Sequence, residues 1–452
     1  MSARLALALV LAAGGIGVLM AHPALYPRLW TYGLVVVLVG CASLGAVWWT
    51  GDRVWPLTRA VSIALAALAA AALLSVGVNV GAGWSGLWRP IVQWGLLGVG
   101  AWLAADGKAL RLLGIALLSG GAVAGGYAIL QYYHLDPLPA VTPFGALRIV
   151  SFFENPNFLG NFAAAALPLA LVAFLHAESL IGRAVLALGA CLVYAGMLLA
   201  GSRGGWMAGL AGGLIVVIGT IRGVGRGRIR LHWPSLVALV ALLVATTLLL
   251  SQRPVVESRS GAVTMAERML STRHIIEPYV ESEAPSVGAD SVVVAPQIEV
   301  RDFTVNHRYF ICEVTWDMIR ARPLVGFGYG TYQQRFAAFR DARRDQAHFQ
   351  SLVWTQQEED TPYAHNEYLH LWAESGLLGL GAFLALVGWV GWGTLRMAWR
   401  EGTPYAWAGL GMVAAMLVHS LVSYPLRLPL NGMVFWLTLG ILVGLVKLRN
   451  SK

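Results

Sequence analysis

The stretch Ala364-His365-Asn366-Glu367-Tyr368-Leu369-His370-Leu371-Trp372-Ala373-Glu374-Ser375-Gly376 leads straight into Leu377–Leu395, a run with no charged residue. About 20 apolar residues suffice for a helix to cross the hydrocarbon core of a bilayer, so the chain is expected to enter a membrane at Leu377. Upstream, from Ser251 to Ser375, it is polar. A titratable imidazole placed where water meets lipid suits chemistry on a substrate that is itself part lipid.

Working outward, eleven further apolar runs satisfy the same length rule. They are Leu5–Met20, Tyr32–Trp49, Val61–Val80, Trp88–Ala104, Leu110–Gln131, Phe158–His176, Ala184–Ala200, Gly205–Ile221, Trp233–Leu250, Tyr405–Tyr424 and Gly432–Val446. The composition agrees: 57% of the 452 residues are hydrophobic and 12% are charged, about half the charge of a soluble domain. The expected fold is an all-α polytopic membrane protein of about twelve spans. Residues 1–250 hold spans one to nine, 251–375 form one large outer segment with amphipathic helices, and 376–452 hold the last three. Arg4, the apolar run after it and Ala21 resemble a signal peptide, but eleven later spans favour an uncleaved first helix.

The net charge of +9 raises the question of a nucleic-acid partner, and its placement answers it. With an inner N-terminus, Arg222, Arg226, Arg228 and Arg230 fall inside with all three lysines, Lys108, Lys447 and Lys452. The short outer loops hold only Arg28, Arg89, Arg148, Arg203 and Arg427, and the segment 251–375 is net acidic. This is the positive-inside pattern. It puts both termini in the cytoplasm, and no nucleic-acid partner is expected. Cys41 and Cys191 lie in spans and Cys312 stands alone, so neither a disulfide framework nor a cysteine metal site follows.

Within the outer segment, Ser282–Val294 reads as irregular loop. Ile311, Val314 and Met318 recur at helical spacing, which predicts a helix over Tyr309–Arg320, stopped by Pro323 and the run Gly326-Phe327-Gly328-Tyr329-Gly330. A second helix is predicted over Tyr332–Arg344. The segment is expected to lie as a cap on the membrane surface.

Imidazole has an unperturbed pKa near 6.5, so His365 is fit to take a proton from a hydroxyl at neutral pH. Taken as helical, it shares a face with Tyr368, Leu369 and Trp372; the bland alternative is a structural histidine anchoring that helix. His370 would sit about 140° away around the helix, too far to share a metal with His365. Glu358-Glu359-Asp360 offers another conceivable cation site, or a solvated loop. Arg203, in Gly201-Ser202-Arg203-Gly204-Gly205, is expected to open a helix whose free N–H groups and positive dipole favour phosphate; snorkelling to headgroups is the alternative. Arg308 is expected to start the Tyr309–Arg320 helix in a similar setting. Arg148 precedes Asn155-Pro156-Asn157, which has helix-cap chemistry. The spans are nearly free of ionisable groups, which argues against a transporter or an exporter.

Together these residues resemble the O-antigen ligase family of bacterial inner membranes. The resemblance rests on Ser202-Arg203-Gly204-Gly205, Asn155-Pro156-Asn157 and Trp316…Pro323…Gly326-x-Gly328. It also rests on His365-Asn366…Glu374-Ser375-Gly376 and Ser420…Pro425…Pro429…Phe435-Trp436, and runs from about residue 145 to 440. It implies a glycosyltransferase of the GT-C membrane type, metal-independent and needing no cofactor. Its donor would be a polysaccharide on undecaprenyl pyrophosphate, its acceptor the lipid A–core, its setting membrane lipid at the periplasmic face. His365 matches the family's essential histidine and Arg203 an essential arginine, with Arg308 and Arg148 as further pyrophosphate ligands. Asn155, Asn157, Asn366 and Tyr368 are supporting candidates. An O-antigen polymerase or a protein O-oligosaccharyltransferase would share these features; the single large outer loop and the short C-terminal tail favour a ligase.

Overall fold

The computed structural model describes residues 2–20, 57–79, 84–137, 148–153, 155–258, 261–270, 279–281, 298–300, 303–343 and 361–450. Helices dominate. In chain order they are α1 (Ala3–Met20), α2 (Arg59–Val78), α3 (Trp88–Leu103), α4 (Gly107–Tyr132), α5 (Pro156–Leu175), α6 (Leu180–Leu199) and α7 (Arg203–Gly225). There follow α8 (Trp233–Leu250), α9 (Met265–Leu270), α10 (Phe303–Ala321), α11 (Tyr332–Asp341), α12 (Glu367–Glu401), α13 (Pro404–His419) and α14 (Pro429–Asn450).

Among the described residues eight helices, α2, α4 to α8, α12 and α14, are long and apolar enough to cross a membrane. The apolar helices α1, α3 and α13 occupy three more of the predicted runs. The run Tyr32–Trp49 lies outside the described residues, as does the Ser282–Val294 loop. The fold is helical as expected, and two short two-stranded ribbons accompany the helices. Pro254–Ser258 (β1) pairs antiparallel with Gly261–Thr264 (β2), and Tyr279–Glu281 (β3) with Ile298–Val300 (β4). Val256, Val263, Val280 and Ile298 supply the β-branched content that suits a strand, on runs too short for hydrophobic periodicity to register.

The chain divides into two compact units. The first comprises Met1–Ala70, Leu87–Met265 and Gly381–Lys452. Its helices pack through small residues, because between apolar surfaces in lipid the gain comes from close backbone approach rather than from escaping water. The seam of α3 with α14 shows this. A methyl added at Gly440 would stand 2.0 Å from the Leu97 carbonyl oxygen, and one at Gly444 2.4 Å from that of Ala101. Similar pairings join α4 to α6, α5 to α6 and α7, and α13 to α7. Exposed Val237, Leu248 and Leu249 give α8 an apolar outer face.

The second unit comprises Ala71–Gly86 and Ala266–Leu380. Its core joins Phe310, Ile311, Val314, Met318 and Ile319 of α10 to Tyr332 and Phe336 of α11, with Phe327, Ala364 and Ala373. The i, i+3, i+7 stripe read in the sequence is thus the buried face of α10. The helix starts at Phe303, six residues before the predicted boundary.

Candidate active site

In the second unit a break in α12 organises the backbone around the quoted stretch. Gly376 takes φ 68° and ψ −174° inside an otherwise helical segment. A methyl there would meet the Leu324 carbonyl at 2.1 Å, so only glycine fits. The carbonyls released by the break find other donors: Ala373 accepts from the Phe327 amide at 2.9 Å and Glu374 from that of Gly328 at 2.8 Å. Across the same turn the Leu377 amide donates to Pro323 at 2.8 Å, and so does the Trp372 indole, at 2.9 Å. The end of α2 joins in, with the Ser75 hydroxyl donating to the Glu374 carbonyl at 2.5 Å and the Asn79 amide to that of Gly326 at 3.1 Å.

His370 is fully absorbed by this frame. Its Nδ1 accepts from the Ala364 amide at 3.2 Å, so the proton sits on Nε2, which points at Glu374 Oε1 at 3.3 Å. Its ring stacks on Tyr332 with centroids 4.2 Å apart. Glu374 Oε1 also accepts from the Gly330 amide at 2.8 Å. Both side chains are buried. His370 therefore clamps the irregular backbone at Ala364 to α12.

His365 stands differently from the sequence expectation. The helix begins at Glu367, because the Asn366 side chain accepts from the Tyr368 and Leu369 amides, both at 3.0 Å, and caps it. His365 lies before the cap in a left-handed conformation, φ 50°. That conformation is uncommon for a non-glycine residue and gathers at functional sites. It is off the helix, so a face shared with Leu369 and Trp372 does not describe it, nor does the 140° separation from His370. Its neighbour is instead His307 of α10, edge-on, with ring centroids 6.1 Å apart. Arg308 is close enough for its charge to act on His365.

The electrostatics follow from that setting. Burial, then the Arg308 charge, then His307 and His370 hold the His365 imidazole well below its usual pKa of 6.5. Burial and Arg308 together push His307 down to about 4. Both rings are neutral at pH 7, and a neutral imidazole carries one N–H. Arg308 sits in the second turn of α10 because the helix starts early, so it acts through its guanidinium rather than through a helix N-terminus. Burial raises the Cys312 thiol to about 11, which leaves it protonated and a poor nucleophile.

The remaining candidates belong to the first unit. Asn155 caps α5, accepting from the Asn157 amide at 2.8 Å with Pro156 at the first helical position. Asn157 Oδ1 accepts from the Ser202 hydroxyl at 2.8 Å, and Ser202 in turn caps α7 through the Gly205 amide at 3.2 Å. These bonds tie the starts of α5 and α7 together. Arg203 opens α7 as expected and is buried there. Arg148 begins the segment 148–153, whose Val150 and Ser151 amides are held by Gln131 Oε1 at 3.2 and 2.7 Å.

Among the described residues no group of three or more His, Cys, Asp and Glu side chains stands ready for a metal; Glu358, Glu359 and Asp360 lie outside them. His307 is the residue sequence reading missed. Its only signal was adjacency to Arg308, since nothing in a single sequence pairs positions so far apart.

Fold and site define a polytopic helical membrane protein that keeps a neutral imidazole within reach of the Arg308 charge in its polar segment. Residues 184–384 match the model of a family described as O-antigen ligase, so the resemblance seen in the sequence holds over that stretch. It contains Arg203, Arg308, His365, Asn366 and Tyr368, while Arg148, Asn155 and Asn157 precede it. No curated protein matches the chain.

Proposed function

We propose that the protein is an O-antigen ligase, a GT-C-type glycosyltransferase. It would move polysaccharide from undecaprenyl pyrophosphate onto a sugar of the lipid A–core at the periplasmic face of the bacterial inner membrane. The observation that carries this reading is His365: a neutral imidazole, off the helix in a constrained backbone, beside Arg308, within the stretch that matches the family.

In this reading the acceptor hydroxyl oxygen attacks the anomeric carbon as its proton passes to His365. The bond from that carbon to the phosphate oxygen breaks, the configuration inverts, and undecaprenyl pyrophosphate leaves with the bonding electrons. Arg308, Arg203 and Arg148 are assigned to the charge on the pyrophosphate, in place of a metal, since preorganised cations need no reorganisation when that charge develops. Bound pyrophosphate would offset the Arg308 charge that weakens His365 as a base, so donor loading would strengthen the base when it is needed. Asn366 serves by capping α12 and so setting the His365 backbone.

Purified protein, lipid-linked polysaccharide and lipid A–core provide the test. Replacing His365 by Ala is expected to lower turnover by roughly 100- to 10,000-fold, the usual worth of a general base, and Arg203→Ala to weaken donor use. Near-normal turnover in His365→Ala would refute the base assignment, and loss of activity in EDTA restored by a divalent cation would refute the metal-free scheme. A product lengthened on undecaprenyl pyrophosphate, with the core unmodified, would make the enzyme a polymerase instead.

A further inference from the structure

The first unit holds an apolar cleft of about 300 Å³, walled by α1, α4, α5, α6, α13 and α14. It follows α14 from Leu430 to Leu445, about 22 Å at 1.5 Å per residue. That is most of the roughly 30 Å hydrocarbon thickness of a bilayer. Leu117, Leu169, Met412 and Leu437 typify the wall, and of the lining residues Arg111, Tyr405 and Thr438 carry polar groups.

Arg111 and Tyr405 share one end of the cleft. The end of α14 packs on the end of α3, where a methyl at Gly444 would meet the Ala101 carbonyl, and α4 begins at Gly107 just beyond. Leu445 packs in the same cluster as Ala406, beside Tyr405. The charge pattern of the sequence assigns this end to the cytoplasm. Lys108, one turn before Arg111 on α4, is exposed as Arg111 is. The carboxylate of Asp106 is committed to the start of α4: it accepts from the Ser2 hydroxyl at 2.6 Å and from the Lys108 and Ala109 amides at 2.9 and 3.2 Å. Tyr405 is 66% exposed, an aromatic at headgroup level as membrane interfaces favour.

We propose that this cleft binds an anionic phospholipid, with one acyl chain along α14 and the phosphate at Arg111 and Lys108. A water takes about 30 Å³ of liquid and a methylene about as much, so the cleft has room for about ten methylenes, one chain and not two. The apolar wall accepts any hydrocarbon chain, and the charge at its mouth selects the headgroup. Basic pockets between spans on the cytoplasmic side hold anionic lipids for this reason. The site is independent of the ligase reading. There the pyrophosphate charge is assigned to arginines of the outer side, so an isoprenoid chain lying in this cleft would leave Arg111 without an anion.

Native mass spectrometry of the purified full chain, titrated with phosphatidylglycerol or phosphatidylcholine, gives the Kd of the first bound lipid. Phosphatidylglycerol is expected to bind at least about fivefold more tightly, and Arg111→Gln to remove about fivefold of that preference, while Arg111→Lys keeps it. A methyl at Gly114 would meet only Leu169, at 3.8 Å, so Gly114→Ala should bind as the wild type does and Gly114→Phe should fill the cleft and weaken both lipids. A phosphatidylglycerol with a diazirine in its acyl chain should label Leu110–Leu118 and Met433–Leu445, which decides the matter even if the melt of Gly114→Phe shows a misfolded protein. Equal Kd for the two lipids, or a preference unmoved by Arg111→Gln, would overturn the proposal. So would labelling confined to other helices, or displacement of the lipid by a polyisoprenyl phosphate that binds Arg111→Gln as well as the wild type.

Discussion

At the scale of single residues, environment sets the chemistry. His365 and His370 are five positions apart and share a residue type. His370 has both nitrogens engaged and a ring packed on Tyr332, which is a structural fate. His365 faces His307 and Arg308 from a left-handed backbone. Its pKa is lowered by burial first and by Arg308 second, which fixes the sign of a pH effect. A base with a depressed pKa stays unprotonated as pH falls through 6.5, so the acid limb of kcat/KM, which reports the free enzyme, should lie below pH 6.5. Anionic donor cancels part of the Arg308 effect, so the limb of kcat should lie at higher pH than that of kcat/KM. A pH–rate series measures both, and coincident limbs near 6.5 or above would contradict this electrostatic account. The stability argument has the same sign: neutral folded rings lose their contribution as pH falls below the unfolded value.

At the scale of elements, the start of α12 determines where the imidazole stands. Asn366 ends the irregular chain and begins the helix with one side-chain oxygen accepting two amides. Asn366→Ala is expected to cost about 0.5–2 kcal/mol, the usual worth of such a cap, and to reduce turnover further by freeing the His365 backbone. Asn366→Asp keeps the acceptor and should restore most of both. Thermal melts and turnover of the two variants check this, and a fully active Asn366→Ala would show that the cap does not hold the base. Much at this scale was legible in sequence, because caps and stripes are local. Asn155-Pro156-Asn157 and Ser202-Arg203 start helices as their chemistry implies, and Ile311, Val314 and Met318 face a core. The start of α10 at Phe303 was less legible, since the apolar stripe that announces the helix begins only at Ile311. The break at Gly376 was invisible, because glycine inside an apolar run marks a close helix contact as readily as a bend.

At the scale of the whole molecule, the distribution of arginine and lysine yields a prediction about sides. In a cysteine-free background, Asp341→Cys on α11 should react with a membrane-impermeant maleimide in spheroplasts. Gly225→Cys, where an added side chain meets nothing within 4 Å, should react only after lysis. The reverse pattern would invert the topology and place His365 on the cytoplasmic side. Hydrophobicity by itself determined that this chain crosses a membrane repeatedly and that its polar chemistry collects in one late segment. A span is a property of about twenty neighbouring residues and the bilayer around them, so it can be read without the fold. The tertiary structure alone decided that His307 meets His365, that His370 is structural, and that Pro323 to Gly328 crosses α12 at Gly376. Those facts depend on segments far apart in the chain packing on one core, and no local pattern records such a meeting.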